Sequence, residues 1–489
     1  MRRSGHRRAQ DRDPFQQQHL IKPGPAPVSE DSLMTTVPID PDSGPATPAS
    51  SVFRKTKWSV IWLLTLTIFS ALTVGGILAP LQEAAKADLG LNDLQLGLVV
   101  GVAGAIPATL LALPVAWMVD HGTRTRLLIF LASMWALGAI GMAFVENFYG
   151  LFAARLISGI GAGTAFPVLI SLLADVCAPE RRGRSMLVVS VGAWAGAAAA
   201  FAIGGTLFGY LEAHPLTAFP DMAAWRQTHL LVGIGSALCV LPLFLMKEPK
   251  RHEVANPNPS VGEALRAFWR QKAFLGPLFI GNFAGGMAEG AAAIWMGSVL
   301  IRQYNQTPGQ FGAWVGVVIL ASGIIGSVIG GFAADAGHKL KMRGGILLPA
   351  LIATALSIPA SLYPIMPTVG GFAWVLFALL IGGVIVGLVN NAAIAVLIPN
   401  EERALCLAAL KIVGTVIGGP VTAVVIGWIS SVISGPGSLG MALAWLGVVT
   451  GIISLIGIWV AMVNAPLPPS SLDKLAETSP GKMNGGLDE

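Results

Sequence analysis

Residues 371–398 read GFAWVLFALLIGGVIVGLVNNAAIAVLI, a run of 28 residues without a charged side chain. Apolar and polar residues do not alternate along it, as they would in a strand of a membrane barrel. About 20 consecutive apolar residues are enough for an α-helix to cross the hydrocarbon core of a bilayer. The sequence therefore predicts a membrane-spanning helix here.

Eleven further apolar runs resemble this one, and the composition of the whole chain agrees with them. Charged residues make up 12% of the chain, hydrophobic residues 54%, and the mean hydropathy is +0.69; soluble domains carry about 25% charged residues. A backbone in lipid must satisfy its own hydrogen bonds, which long helices do. We therefore expect an all-α polytopic membrane protein of twelve transmembrane helices in two six-helix halves. The twelve predicted spans are residues 58–80, 95–118, 126–145, 149–175, 185–209, 228–246, 274–301, 311–334, 345–366, 371–398, 405–433 and 438–463.

Polar stretches divide the chain into five predicted regions. Residues 1–57 form a disordered cytoplasmic tail rich in Pro, Ser, Asp and Arg, which is either solvated or in contact with anionic lipid. Residues 58–246 form the N-terminal half, residues 247–273 a charged cytoplasmic linker, and residues 274–463 the C-terminal half. Residues 464–489 form a second polar cytoplasmic tail.

The distribution of Lys and Arg predicts the orientation of the chain. With the N-terminus in the cytoplasm, the inside regions hold 26 of the 31 Lys and Arg residues, and the outside loops hold only Lys86, Arg226 and Arg302. Basic residues accumulate in cytoplasmic loops. Both termini are therefore predicted to be cytoplasmic, in a bacterial inner membrane.

Two sequence features occur once in each half. Ala116-Trp117-Met118-Val119-Asp120 ends the second span, and Gly331-Phe332-Ala333-Ala334-Asp335 ends the eighth, each with basic residues just beyond. A second pair follows spans four and ten and consists of 179–184 and 399–403. This spacing indicates a six-helix unit present twice, as in transporters with two related halves.

The repeated small-residue–Asp–basic loop resembles the signature loop of the major facilitator superfamily. Other motifs shared with that superfamily are Arg155-x-x-x-Gly159-x-Gly161, Trp225-Arg226 and Lys247-Glu248-Pro249. Residues 87–97, 154–161 and 179–182 are similar to the bacterial spinster-like branch. The resemblance implies a fold of two six-helix halves and transport by alternating access.

This sequence departs from the spinster-like branch at two acidic positions. The Asp-Arg pair of the branch's first helix aligns with Val74 and Gly75. The Gly-Glu-Ala of its fourth helix is Gly161-Ala162-Gly163 here. The carboxylates that the resemblance implies for proton coupling are therefore replaced.

The loops that carry the repeated motifs supply the predicted gating residues. Asp120 stands at the cytoplasmic end of a helix, where a carboxylate can cap a neighbouring helix N-terminus or pair with a guanidinium and so latch the halves in one state. The alternative is an ordinary solvated loop. The gating set comprises Asp120, Arg124, Arg126, Asp335, Lys339, Arg182, Arg184 and Arg403.

Charged and amide side chains inside the predicted spans are the candidate site, and burial of a charged one in lipid costs about 3 kcal/mol. Glu289 lies at mid-span, and a buried carboxyl without a cation is most stable in its protonated form. Arg155 is a candidate substrate or coupling residue, and Lys411 is another; either could instead snorkel to the membrane surface. Three amides, Asn282, Asn390 and Asn391, either line a cavity or bond between helices.

These observations predict a secondary transporter and not an enzyme. The lead hypothesis is proton-coupled uptake (symport) of a small organic anion, with no cofactor beyond the proton gradient. Export of hydrophobic or drug-like compounds or lipids is the alternative; a non-transporting sensor or a membrane enzyme represents a different class. The expected partners are a small-molecule substrate and the lipid bilayer, without nucleic acid, and the chain is expected to function as a monomer.

Overall fold

The computed structural model describes residues 56–251, 269–340, 342–399, 419–432 and 437–466, with residues 403, 406, 407, 409, 410 and 435. All of them belong to one compact unit, Arg54–Glu489. The described residues do not include Lys411 or most of the first part of the eleventh predicted span. They also leave out most of the predicted linker and nearly all of both predicted tails.

The described residues of the predicted N-terminal half form nine α-helices. They are α1 (Trp58–Gly76), α2 (Leu78–Leu89), α3 (Asp93–Gly97), α4 (Gly104–Leu110), α5 (Ala112–His121), α6 (Arg124–Met142), α7 (Phe148–Val176), α8 (Arg182–Ala213) and α9 (Ala224–Val240). A π-helical turn, Leu98–Ala103, joins α3 to α4, and a 3₁₀ turn, Leu241–Leu245, extends α9.

The described residues of the predicted C-terminal half include six α-helices with defined bounds. They are α10 (Lys272–Tyr304), α11 (Pro308–Lys339), α12 (Leu348–Ala360), α13 (Val369–Leu397), α14 (Gly419–Val432) and α15 (Ser438–Val463). Two 3₁₀ turns, Gly345–Leu347 and Tyr363–Ile365, flank α12.

Ten helical segments of the described chain are long and apolar enough to span a bilayer, and two shorter apolar helices, Asp93–Ala108 and Val421–Val432, fall at the second and eleventh predicted spans. The predicted span 95–118 is not one continuous α-helix. A π-helical turn precedes Pro107, and a break at Leu111 separates α4 from α5. Proline removes a backbone donor and a π turn changes the hydrogen-bond register, so both interrupt a span that hydropathy reads as continuous.

The predicted end of the first span at residue 80 is wrong, because helix continues to Leu89. Pro80 falls in the first turn of α2, where its missing N–H costs no helical hydrogen bond. Lys86 therefore lies on a helix and not in a loop. Arg226 and Arg302, also assigned to loops, lie in the first turn of α9 and the last turn of α10.

Hydrogen bonds between helix ends define two faces of the molecule. The start of α1 contacts the end of α7 through the Lys57 N–H and the Val176 carbonyl, 3.2 Å apart, and the start of α6 lies beside them; we call this end, with its Lys- and Arg-rich connections, the basic face. The start of α9 contacts the end of α2 through Arg226 and Asp88. We call that end the opposite face.

The two halves pack directly on each other toward the opposite face. Helix α8 lies along α11, and α3 with the following π turn lies along α14. Gly205 fits against the Pro308 backbone and Gly97 against the Ala423 backbone, where an added Cβ would collide with a carbonyl oxygen. Small residues allow this close approach. Many large apolar side chains point outward, among them Trp62, Phe130, Trp374, Trp445 and Trp459.

Candidate functional site

A cavity of about 610 Å³ lies between the two halves. The N-terminal half lines it with Leu72, Gly75, Gly76, Gly104, Ala105, Arg155, Gly159, Trp194, Ala197 and Phe201. The C-terminal half lines it with Gly286, Glu289, Gly290, Ala293, Met296, Ile319, Ser322, Leu380, Val384 and Gly419. Two predicted site residues, Arg155 and Glu289, are thus brought into one cavity from opposite halves.

Arg155 projects from α7 and is only 7% exposed. Its Nη2 donates to the Gly75 carbonyl of α1 at 2.7 Å. Its Nε and Nη1 are buried and have no hydrogen-bond partner within the described chain. The group that faces this guanidinium from α1 is therefore a neutral backbone carbonyl. The arrangement places a positive charge without a carboxylate partner among the described residues in the cavity wall.

Glu289 lies near the middle of α10 and packs against Gly383 of α13. A Cβ added to Gly383 would overlap the Glu289 carboxyl group, so the carboxyl lies directly against the Gly383 backbone. Among the described residues, the Glu289 carboxyl has no hydrogen-bond or ion-pair partner. Burial disfavours the ionised form of such a group, so the site suits a protonated carboxyl that ionises when water or a partner reaches it.

The three predicted amides occupy different environments. Asn390 is fully buried, and its Nδ2 donates to Asn282 Oδ1 at 3.1 Å, which joins α13 to α10. Asn391 is exposed, and its Nδ2 donates to the Gly387 carbonyl of its own helix at 2.8 Å. Two of the amides therefore bond between helices two turns from Glu289. Lys411, the remaining cation of the predicted site, lies outside the described residues.

The glycines of α7 are packing positions. A Cβ on Gly159 would meet the backbone of Gly104, and one on Gly161 would meet the backbone of α6 at Leu131. Gly159 also lines the cavity. Close packing at these glycines therefore positions α7, the helix that carries Arg155, in the wall of the cavity.

At the basic face, Arg124 belongs to a network inside the N-terminal half. This side chain is 3% exposed; it pairs with Asp175 and donates from Nε to Glu248 Oε1 at 2.9 Å. Glu248 also accepts from the Thr125 backbone N–H at 2.8 Å, which caps the start of α6. Burial raises the pKa of Glu248, but the hydrogen bonds from Thr125 and Arg124 outweigh it and hold that pKa below its usual range. Arg124 thus connects the start of α6 to α7 and to Glu248, which follows α9 at the end of the N-terminal half.

The other predicted gating residues lie near the basic face. Asp120 is exposed, and Arg251 donates to its backbone carbonyl and to the Val119 carbonyl. Arg403 Nη2 donates to the Ile398 carbonyl at 3.4 Å. Of the rest, Arg182 is half-buried, and the exposed members are Arg126, Arg184, Asp335 and Lys339. Their gating role stays a prediction.

Sequence reasoning missed three features. Trp194 lines the cavity, and its indole fills a notch left by Gly323 of the other half. His229 is fully buried in α9 and its Nδ1 lies 2.9 Å from the Trp225 carbonyl oxygen. An ion-pair cluster around Arg302 joins the halves at the opposite face; the sequence signal for it was the isolated basic residues of that face.

Two six-helix halves around a central, partly charged cavity define a secondary-transporter fold. The sequence profile of the Major Facilitator Superfamily matches residues 63–404. The chain belongs to this superfamily, and the transporter class and twelve-helix fold expected from sequence are confirmed.

Several curated bacterial transporters are similar in sequence. The probable 4-methylmuconolactone transporter of Cupriavidus pinatubonensis is 26% identical over 65% of this chain and 72% of its own length. An MFS-type efflux pump of Mycolicibacterium smegmatis is 23% identical over 78% of this chain and 87% of its own. The 3-(3-hydroxy-phenyl)propionate transporter of Escherichia coli is 28% identical, but the match spans only 35% of this chain and 38% of that protein.

A solved structure shares the fold. The inward-facing, unoccupied structure of a bacterial homologue of the human lysosomal transporter Spinster superimposes with a TM-score of 0.70 at 18% identity, covering 85% of this chain and 97% of that one. The similarity to the spinster-like branch expected from sequence is therefore confirmed at the level of the fold.

Proposed function

We propose that this transporter takes up a small organic anion together with protons. The observation that carries the proposal is the shared cavity, in which Arg155 of one half and Glu289 of the other face the same space. Such a site holds an anion and a proton between two moving halves, as alternating access requires.

Arg155 supports a carboxylate substrate. A guanidinium presents parallel N–H groups that match the two oxygens of a carboxylate. Nη2 is held by the Gly75 carbonyl, and Nη1 beside it has no described partner. The anchored side chain is thereby oriented before substrate arrives.

The remaining cavity wall supports an apolar substrate body. Trp194, Phe201, Met296 and Ile319 are among its lining residues. The name of one relative, a 3-(3-hydroxy-phenyl)propionate transporter, specifies an aromatic ring with a carboxylate. A small aromatic or aliphatic monocarboxylate is the substrate class that satisfies both features.

Glu289 is proposed as the proton-carrying group. Its carboxyl lies in the cavity, between α10 and α13, without a described cation partner. Protonation keeps it neutral in that apolar setting, and release of the proton to the far side couples the cycle to the gradient. We place the basic face in the cytoplasm of a bacterial inner membrane because of its Lys and Arg content.

The test uses purified protein in proteoliposomes with labelled 3-(3-hydroxyphenyl)propionate and its alcohol analogue, 3-(3-hydroxyphenyl)propanol. Accumulation of the acid, driven by an imposed pH gradient and absent with the alcohol, is the expected result. No accumulation across a panel of aromatic and aliphatic monocarboxylates would contradict the proposal.

Export is the second candidate, favoured by the similarity to an efflux pump. The same vesicles distinguish the two. Proton-driven extrusion of a hydrophobic cation or neutral dye, with no movement of carboxylates, would establish export instead.

A further inference from the structure

The opposite face carries an ion-pair cluster that connects the two halves. Arg302, at the end of α10, donates from Nη1 to Asp93 Oδ2 at 2.7 Å and from Nη2 to Asp93 Oδ1 at 2.6 Å. Its Nη2 also donates to Glu83 Oε1 of α2 at 2.7 Å. One guanidinium of the C-terminal half is therefore held by two carboxylates of the N-terminal half.

Asp93 is the centre of this cluster. It is 7% exposed and also accepts from Lys86 and from Ser430 Oγ of α14, the latter at 2.8 Å. Two helices of the C-terminal half, α10 and α14, thus converge on one carboxylate. A capping box between Asn92 and Gln95 fixes the start of α3 and so positions it.

Backbone packing surrounds the same point. A Cβ on Gly427 of α14 would collide with the Asp93 carbonyl, and one on Gly97 would collide with the Ala423 carbonyl. One residue before Glu83, Gln82 Nε2 donates across the halves to the Ile294 carbonyl and the Ser298 hydroxyl, at 2.8 and 2.7 Å. Charge, hydrogen bonding and close packing together close the opposite face of the cavity.

We infer that the Asp93–Arg302 pair is the lock that keeps the opposite face closed and sets the balance between the two states of the transporter. Bidentate pairing of a nearly buried carboxylate is strong, and removing one partner leaves the other charge buried and uncompensated. The pair must break when the halves separate at this face, so its loss shifts the balance toward the state open there. This inference rests on the alternating access of the proposed function.

A matched control lies at the same face within one half. Asp88 of α2 accepts from Arg226 Nε at 2.8 Å and from Trp225 Nε1 at 3.0 Å, and all three residues belong to the N-terminal half. Removing the Asp88 charge breaks a carboxylate–guanidinium pair without loosening the contact between halves.

The experiment measures the separation of the halves by double electron–electron resonance in nanodiscs, without substrate or pH gradient. Cysteines 177, 239 and 406 are first removed, and spin labels are placed at Glu146→Cys and Gly370→Cys, exposed positions of the two halves at the opposite face. Wild type is expected to give mainly the shorter distance. Asp93→Asn is expected to raise the ratio of the longer- to the shorter-distance population about tenfold or more, and Asp88→Asn to leave it unchanged.

Equal distance distributions for Asp93→Asn and wild type would overturn the inference, as would the same shift in Asp88→Asn. Asp93→Glu, which keeps the charge, is expected to stay closer to wild type than Asp93→Asn. If Asp93→Asn does not fold, Arg302→Gln is used in its place, because Lys86 still neutralises Asp93 in that variant. A distance distribution equal to that of wild type, or the same shift in Asp88→Asn, would again overturn the inference. Because no transport is measured, a failure of the proposed substrate or proton coupling leaves this result unaffected.

Discussion

Arg155 lines the cavity; its Nη2 is bound to the Gly75 carbonyl, and its Nε and Nη1 are buried without a described partner. A backbone carbonyl orients the guanidinium but carries no formal charge to neutralise it. In the proposed function, this positive charge pairs with the carboxylate of the substrate.

Replacing Arg155 with Lys tests this role. Lysine keeps the charge but loses the planar fork, and hydrogen bonds to charged groups contribute about 1.5–3 kcal/mol each. We expect the Kd for 3-(3-hydroxyphenyl)propionate, measured by calorimetry, to rise about tenfold to a hundredfold. Arg126→Lys, at an exposed position of α6, serves as the control. An unchanged Kd in Arg155→Lys would remove this residue from the binding site.

At the residue scale, the sequence predicted which side chains are unusual but not what they contact. Arg155 and Glu289 are conspicuous because charge is rare at these positions in apolar runs. Arg155 contacts a backbone carbonyl of α1, and Glu289 contacts a glycine of α13. A contact made by backbone atoms, or by a glycine that has no side chain, cannot be predicted from residue type. Asn282 and Asn390 were seen separately, and only the fold pairs them.

At the scale of the element, the start of α6 shows how one helix end is fixed. Glu248 caps it through the Thr125 N–H and pairs with Arg124, which in turn reaches Asp175 of α7. An acidic group at a helix N-terminus is stabilised by the helix dipole. The contact ties the end of the N-terminal half to its third and fourth spans.

Glu248→Gln should therefore lower stability in a pH-dependent way. The pKa of Glu248 is lower in the folded protein, so its stabilising effect is fully present above the unfolded pKa of about 4.3 and is lost as pH falls through the folded pKa. Thermal unfolding at pH 7 should show a lower Tm for Glu248→Gln than for wild type, with the gap narrowing below about pH 4.5. The exposed Glu146→Gln is the control, and a gap independent of pH would exclude the charge as the cause.

The last turn of α5 gives a second prediction. Asp120→Asn should leave expression and substrate binding near normal but slow turnover, because the proposed latch requires the full charge. Initial uptake rates in cells measure it, with Asp221→Asn on the opposite face as the control. If Asp120→Asn transports at the wild-type rate, Asp120 is a solvated loop residue.

Element boundaries were predictable only where hydropathy and helix geometry coincide. The twelfth predicted span, 438–463, matches α15, because Gly437 precedes it in a left-handed conformation and its residues are almost all apolar. The first span was predicted too short, since Pro80 in a first helical turn does not end a helix. The second span contains a π-helical turn, which changes backbone register without changing composition.

For the whole molecule, closure at the opposite face and a cavity between the halves describe one state of an alternating cycle. If the basic face lies in the cytoplasm, as we propose, this state is closed to the outside. Fold class and the two-half organisation followed from long apolar runs and a repeated motif. The contacts that close the opposite face involve residues more than 200 positions apart, and neither periodicity nor local motifs report such distances.

Orientation is tested by labelling single cysteines on a Cys-free background in intact cells. A cysteine at residue 368 should react with an impermeant thiol reagent, because it lies on the face with few basic residues. A cysteine at residue 258 of the predicted linker should stay unmodified until the membrane is made permeable. The reverse pattern would place the basic face outside and refute the topology.

Proton coupling through Glu289 is the central claim, and Glu289→Gln in proteoliposomes tests it most directly. Glutamine keeps the shape of the protonated carboxyl but cannot release a proton. We predict that pH-gradient-driven accumulation is abolished, whereas counterflow exchange, which needs no net proton movement, is retained; Glu146→Gln should retain both. Accumulation at the wild-type level in Glu289→Gln would contradict the account and remove Glu289 from the coupling mechanism.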